Sequence, residues 1–345
     1  MLMVIFGAGA SYDSSQAYRP PKLGSGSDGQ TWRPPLANDL FLDPHHAFGD
    51  IAQRYYRQIP ILSLLREPSH GRSVEELLES LQSEAAGYLQ RHRQLASVRY
   101  YIRDLLWEVS RNWDRQTYGV TNYVTLVDQI LHRHKSREPV CLVTFNHDLL
   151  LDNALHIFDF KTRLPEDHFN SHPVLKLFKL HGSVGWARYV DSPTDLAITP
   201  QGLIEIATSI RLSDKYTLVS SQEANADGKL LFPAIAIPVQ TKTTDTFECP
   251  LSHLAYLNEL LKSVTKILII GWRGKEAHFL ALLRSNLPAL QRIMVVSGDA
   301  SAYATLDQFK KEIGPNAPLT AISETITTGF TDFVVNQQGD EFFKS

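Results

Sequence analysis

Met3-Val4-Ile5-Phe6-Gly7-Ala8-Gly9-Ala10-Ser11, at the start of the chain, is the stretch whose reading decides the fold. The apolar run from Met3 to Phe6 is long enough for one buried strand, and it ends in two glycines with one alanine between them. Glycine accepts backbone angles that other residues resist and has no side chain to hold a ligand away. A strand running into Gly7-Ala8-Gly9-Ala10-Ser11 can turn sharply and aim backbone N–H groups at a phosphate. The third glycine of the usual dinucleotide fingerprint is missing, so a tight turn that binds nothing fits these residues equally well.

Outward from this stretch, further apolar strands are read at Pro139 to Phe145, Val174 to Leu180, Tyr216 to Ser220, Lys266 to Ile270, Ile293 to Ser297 and Leu319 to Ser323. Helical patterns lie between several of them, at Leu149 to Phe158, Ser252 to Val264, Glu276 to Leu287 and Ala302 to Ile313. Near-continuous apolar strands alternating with helices imply an α/β fold, a parallel Rossmann-like sheet covered on both faces. Ligands in such folds sit at the carboxyl ends of the strands.

Residues 48–136 read differently. Val74, Leu77, Leu78 and Leu81 are spaced for one helix face, as are Leu95, Val98, Ile102, Leu105 and Val109, and again Val120, Tyr123, Val124, Val127 and Ile130. Ser73 with Glu76 fits a capping box. The expected organisation is a helical insertion module over 48–136, with 1–47 and 137–345 forming the nucleotide-binding domain. Tyr12 to Pro35 is polar and broken by Pro20-Pro21 and a Gly/Ser-rich run; a long loop directly after a phosphate turn is either a lid or plain surface chain.

Composition bounds the rest. The chain has 345 residues, 43% apolar and 21% charged, with a net charge of -3. This length and balance suit a soluble globular protein of about two domains, and the charge lacks the basic footprint of direct nucleic-acid binding. Cys141 and Cys249 stand far apart, too few for a four-cysteine zinc site and implausible as a disulfide framework, so a reducing cytoplasm is expected. No apolar segment approaches the ~20 residues of a membrane span.

The residues after each strand are polar and specific: Gly7 to Ser11, then Asn146-His147-Asp148, then His181-Gly182-Ser183, then Gly271-Trp272-Arg273, then Ser297-Gly298-Asp299. An apolar floor with a few fixed hydrogen-bonding groups is what a polar nucleotide needs. A lone histidine is most often structural. His181 differs because it ends an apolar strand and precedes a glycine, where an imidazole can titrate near neutral pH and act as a base. By alternation, His147 should point away from Asn146 and Asp148.

Gly7-Ala8-Gly9-Ala10-Ser11, Asn146-His147-Asp148 and Leu180-His181-Gly182, in that order, resemble the sirtuin motifs Gly-Ala-Gly-Ile/Ala-Ser, Gln-Asn-Ile-Asp and His-Gly. The closer resemblance is to the sirtuin-like NAD-consuming proteins of bacterial antiphage defence. It spans residue 3 to about 298. It implies that Gly7, Ala8, Gly9, Ala10 and Ser11 bind the pyrophosphate and the adjoining ribose, and that Asn146 orients the nicotinamide ribose or the attacking water. It further implies that Asp148 bonds the nicotinamide carboxamide and that His181 is the base at the ribose. Gly271, Trp272 and Ser297 would line the adenosine half, and Ser183 belongs to the same binding set. The zinc-binding cysteines of deacetylating sirtuins are absent, and Gly271-Trp272-Arg273 stands where a Gly-Thr/Ser pair is usual.

The resemblance implies an NAD+ glycohydrolase that needs no metal, acting as a regulated NAD-depleting effector. It also implies a homo-oligomer, with a HerA-type ATPase or another phage-sensing protein as a partner. A non-catalytic NAD or ADP-ribose sensor and an NAD-dependent deacylase are the alternatives.

Overall fold

The computed structural model describes residues 1–21, 32–42, 47–67, 71–133, 138–161, 164–191, 199–220, 225–226, 229–237 and 247–344. The Gly/Ser-rich part of the 12–35 loop and parts of 191–245 lie outside these residues. In chain order the elements are β1 (Leu2–Phe6), α1 (Ala8–Tyr12), α2 (Ala47–Arg54), α3 (Ile59–Arg66), α4 (Val74–Glu84), α5 (Gln90–Gln116), α6 (Asn122–Arg133), β2 (Val140–Thr144), α7 (Leu150–His156), β3 (Leu175–Lys179), β4 (Gly182–Val190), α8 (Pro200–Glu205), β5 (Leu212–Leu218), β6 (Asn225–Ala226), β7 (Lys229–Ile235), α9 (Leu251–Leu261), β8 (Lys266–Ile270), α10 (Ala277–Asn286), β9 (Arg292–Val296), α11 (Ser301–Ile313), β10 (Ile322–Ile326), α12 (Gly329–Val335) and α13 (Asp340–Phe343).

β1 is wholly buried because every residue in it is apolar and both of its faces are covered. It lies at the centre of a six-stranded sheet in the order β10-β9-β8-β1-β2-β3, with every pairing parallel. Taken along the sheet, this is the 3-2-1-4-5-6 order of the doubly wound Rossmann-like fold, and the order reverses between β1 and β8. Alternation assigns the two faces. Met3 and Ile5 pack with α9, α10 and α11 through Leu257, Phe279, Leu283 and Phe309. Leu2, Val4 and Phe6 pack with α6, α7, α12 and α13 through Leu126, Leu151, Phe333 and Phe343.

A second unit begins directly after β3. β4, β5, β6 and β7 form an antiparallel sheet in the order β5-β4-β7-β6. Its Val184, Val190, Phe232 and Ile235 share one apolar cluster with α2 to α5 and with Leu203 and Ile204 of α8. The helices of residues 47–116 therefore pack with the small sheet, whereas α6 packs on the parallel sheet. The capping box at Ser73 and Glu76 forms as expected, each side chain bonding the other's backbone N–H.

The strand at 266–270 falls where it was read, and β2, β3 and β9 fall within a residue or two of their expected bounds. The last strand is displaced to Ile322–Ile326: it is a half-exposed edge strand carrying Ser323 and Glu324, so it has no apolar run to mark it. β4 and β7 escaped notice because glycine, arginine and proline interrupt their alternation.

Candidate active site at the strand switch point

The switch between β1 and β8 brings two glycine turns against each other. Gly7 N donates to Ile270 O, Gly9 N to Gly271 O (3.1 Å each), and Gly271 N to Val296 O (3.0 Å). Gly271 adopts φ +61°, and a Cβ there would lie 2.2 Å from Ala10 N. A Cβ on Gly7 would lie 2.6 Å from Gly271 O. These glycines are required first by backbone-to-backbone contact. Three amides of the first turn, those of Gly7, Gly9 and Ala10, already bond main-chain carbonyls. The turn therefore offers close approach more than a ring of donors. Ala8 is half-buried and Ala10 is in the core.

One turn further on, Ser11 reaches the end of β2. Its hydroxyl donates to Asp148 Oδ2 (2.6 Å) and lies 2.9 Å from the Tyr123 hydroxyl. Asn146 Nδ2 donates to Gly7 O and to Ser11 Oγ (2.9 Å each) and lies 3.3 Å from Tyr123 Oη. A carbonyl as acceptor fixes which end of the amide is nitrogen. Asn146 Oδ1 therefore points the other way, and among the described residues nothing donates to it. Asn146 is half-buried, so that oxygen is the end left for a ligand.

Asp148 is buried, and its Oδ1 accepts from Leu150 N (3.1 Å). Burial pushes its carboxyl above the usual range, while the Ser11 bond and the Lys179 ammonium pull against that push. Burial, and next the Asp148 charge, raises the Tyr123 phenol well above its ordinary value, which keeps it a neutral donor and acceptor. Ser11, Asn146 and Asp148 thus form one buried polar cluster, as their order in the sequence led one to expect. Tyr123 is a member that sequence reasoning missed: its only signal was a place on the apolar face of a helix.

His181 follows β3 and is 8% exposed. Gly182 after it adopts φ +80°, and a Cβ there would meet Ala234 O at 2.0 Å, so only glycine lets the chain turn into β4 beside β7. The carbonyls on either side are anchored by Glu248 N to Leu180 O and Ala236 N to His181 O. The His181 ring packs edge-on to Phe145, with centroids 4.9 Å apart, and lies 6.1 Å from the His147 ring at an interplanar angle of 27°. The His147 ring thus lies beside His181, which makes it a second residue of this site that sequence reasoning set aside. Phe145 stacks its other face on Trp272 (5.5 Å, 13°), so one aromatic layer runs from the imidazoles to the β8 turn.

Two further expected site residues bond other partners than this cluster. Ser297 lies beyond Gly271 at the end of β9, where its hydroxyl pairs with Ser301 Oγ (2.9 Å). The neighbouring Asp299 carboxyl is held below its usual range by hydrogen bonds from Ser301. Ser183 is fully buried and lines a cavity of about 370 Å³ with Leu149, Asp152, His168 and Trp186. Among the described residues no group of three His, Cys, Asp or Glu side chains could hold a metal ion. Both cysteine thiols are buried, and burial pushes them up. No described helix is long and apolar enough to cross a membrane.

The floor under the 12–35 loop is tied down by Arg33. Its guanidinium donates to Tyr12 O, Tyr18 O and Arg19 O and lies over the Tyr12 and Trp113 rings at 5.2 and 5.3 Å.

No family model and no curated protein matches the sequence. Among solved structures the chain is similar to a Sir2 homologue in complex with NAD, with 15% identity over 99% of this chain and 87% of that one and a TM-score of 0.39. It is likewise similar to Sir2Tm bound to a propionylated peptide, with 11% identity over 100% of this chain and 94% of that one and a TM-score of 0.36.

Proposed function

We propose that the protein is an NAD+ glycohydrolase, releasing nicotinamide and ADP-ribose from a cleft at the carboxyl ends of β1, β2 and β3. The single observation that carries this reading is the cluster of Ser11, Asn146 and Asp148 beside the Gly7–Gly9 turn, with Asn146 Oδ1 accepting from no donor among the described residues. A binding site for a pyrophosphate alone has no need of a buried carboxylate behind a serine and an outward amide oxygen at the next strand.

In the reaction, the bond between the ribose anomeric carbon and the pyridinium nitrogen breaks, and its electron pair leaves on neutral nicotinamide. A water oxygen bonds the anomeric carbon, and its proton passes to the His181 imidazole. Asn146 Oδ1 accepts from the ribose hydroxyls or from that water. The buried Asp148 carboxylate favours the cationic, oxocarbenium-like transition state from behind Ser11. His181 as base is worth about 10²–10⁴-fold, and orientation of ribose and water supplies the rest. The Phe145, His147 and Trp272 rings, packed beside His181, would shield the reacting bond from bulk water.

An unregulated activity of this kind would exhaust the cell's own NAD+. Control by self-assembly or by a partner, a HerA-type ATPase or another phage-sensing protein, in an antiphage role, is part of the proposal.

The test is incubation with NAD+ alone and with NAD+ plus an acylated peptide, with products identified by mass spectrometry. Nicotinamide and ADP-ribose without peptide are expected. Release only with peptide would mean a deacylase, and binding without release a sensor.

A further inference from the structure

Lys179, the last residue of β3, is a lysine whose side chain is 0% exposed, two residues before His181. Its ammonium donates to Asp148 O at 2.6 Å and to Asp152 Oδ2 at 2.5 Å. Asp152 stands in the first turn of α7, 14% exposed, with its other oxygen 3.7 Å from His168 Nε2. A buried ion pair is at best neutral for stability beside an apolar pair of the same volume, because desolvation of two charges offsets their attraction. The placement of this pair suggests another use. The peptide plane between Asp148 and Leu149 is gripped at both ends: Lys179 holds its carbonyl, and Ser110 Oγ accepts from its N–H at 3.2 Å. The next amide, Leu150 N, bonds the Asp148 carboxylate, whose other oxygen holds Ser11.

We propose that Lys179, anchored by Asp152, is a positioning residue that fixes the Asp148–Leu149 peptide and thereby the aim of the Ser11, Asn146 and Asp148 cluster. The catalytic consequence rests on the function proposed above; the positioning itself does not. Without Lys179 the carbonyl loses its ammonium donor, the peptide plane can rotate, and the carboxylate that orients Ser11 rotates with it. The Lys179 charge also offsets part of the upward push that burial exerts on the Asp148 carboxyl.

The experiment is hydrogen exchange of the peptide covering 145–151, with thermal unfolding and NAD+ kinetics, in a K179M/D152L double variant that leaves no orphan charge. K179Q/D152N, which keeps polar groups in both places, serves if the first does not fold. The Leu149 and Leu150 amides should exchange about tenfold faster or more, while β8 keeps its protection. With NAD+, kcat should fall about tenfold or more and KM change far less, since orientation and not binding is lost. A folded double variant whose Leu149 and Leu150 amides exchange at the wild-type rate overturns the proposal. Because exchange needs no NAD+, a wild-type protein that releases no nicotinamide would remove the glycohydrolase reading and leave this result standing.

Discussion

At the scale of single residues, the site is built by glycines that admit backbone and by side chains that bond inward. Gly271 has a left-handed φ, and a Cβ added there would lie 2.2 Å from Ala10 N. Gly271→Ala should therefore destabilise the fold by about 3 kcal/mol or more, from strain plus overpacking. Chemical denaturation measures this, and a loss under about 0.5 kcal/mol would mean the two turns are not in contact. The Ser11, Asn146 and Asp148 constellation was legible in the sequence, because each residue follows an apolar strand and strand ends converge in this fold. Tyr123 and His147 were not. One lies on a helix whose pattern reports only its apolar face, and the other required knowing that β3 brings His181 alongside.

Buried histidines away from the site set a pH dependence. Burial lowers His168 to about 3 and His253 to about 4 from an ordinary 6.5. Between those values and 6.5 the unfolded chain binds more protons than the folded one, so stability is complete above about pH 6.5 and is lost as pH falls toward 3. Each histidine contributes a slope of up to about 1.4 kcal/mol per pH unit. Melting curves from pH 7 to 4 should show this decline, and His168→Phe should flatten it. An equally steep curve in that variant would assign the acid sensitivity elsewhere.

At the scale of elements, α12 is capped from across the molecule. Asp13, just after α1, accepts from Thr331 N and from the Thr331 hydroxyl, while Asn122 Nδ2 bonds both Asp13 O and Thr331 Oγ1. Residues after the first strand thus lock the last helices of the sheet, though neither α12 nor α13 was read from the sequence, being short and ending in an apolar cluster only the fold explains. Asp13→Ala should cost about 1–2 kcal/mol and selectively raise hydrogen exchange in 329–335. Uniform exchange across the molecule would refute the local capping role. Arg33 does the same for the near side of the long loop. Arg33→Ala should make residues 12–21 cleavable by protease in the native state, and resistance equal to wild type would show that the three carbonyls hold without it.

At the scale of the whole molecule, a Rossmann-like sheet and a small helical-and-antiparallel unit are joined through the ends of β3 and β4, where His181, Gly182 and Ser183 lie. The parallel sheet was legible because strands buried on both faces leave apolar runs of a length that helices rarely share. The antiparallel sheet was legible only in part: Tyr216 to Ser220 marked the end of β5, read there as one more strand of the parallel sheet, while β4 and β7, though largely buried, are interrupted by glycine, arginine and proline. The 48–136 helices were legible as helices by periodicity, but which surface each covers is decided by the fold: α6 lies on the parallel sheet while α2 to α5 pack with β4 and β7.

The most direct measurement is nicotinamide released from NAD+ by the wild-type protein, His181→Ala and Asn146→Ala under one set of conditions, with ADP-ribose affinity measured in parallel. The account predicts turnover by the wild type and a loss of about 10²-fold or more in each variant, with affinity for ADP-ribose largely kept. Release by both variants at the wild-type rate would contradict it.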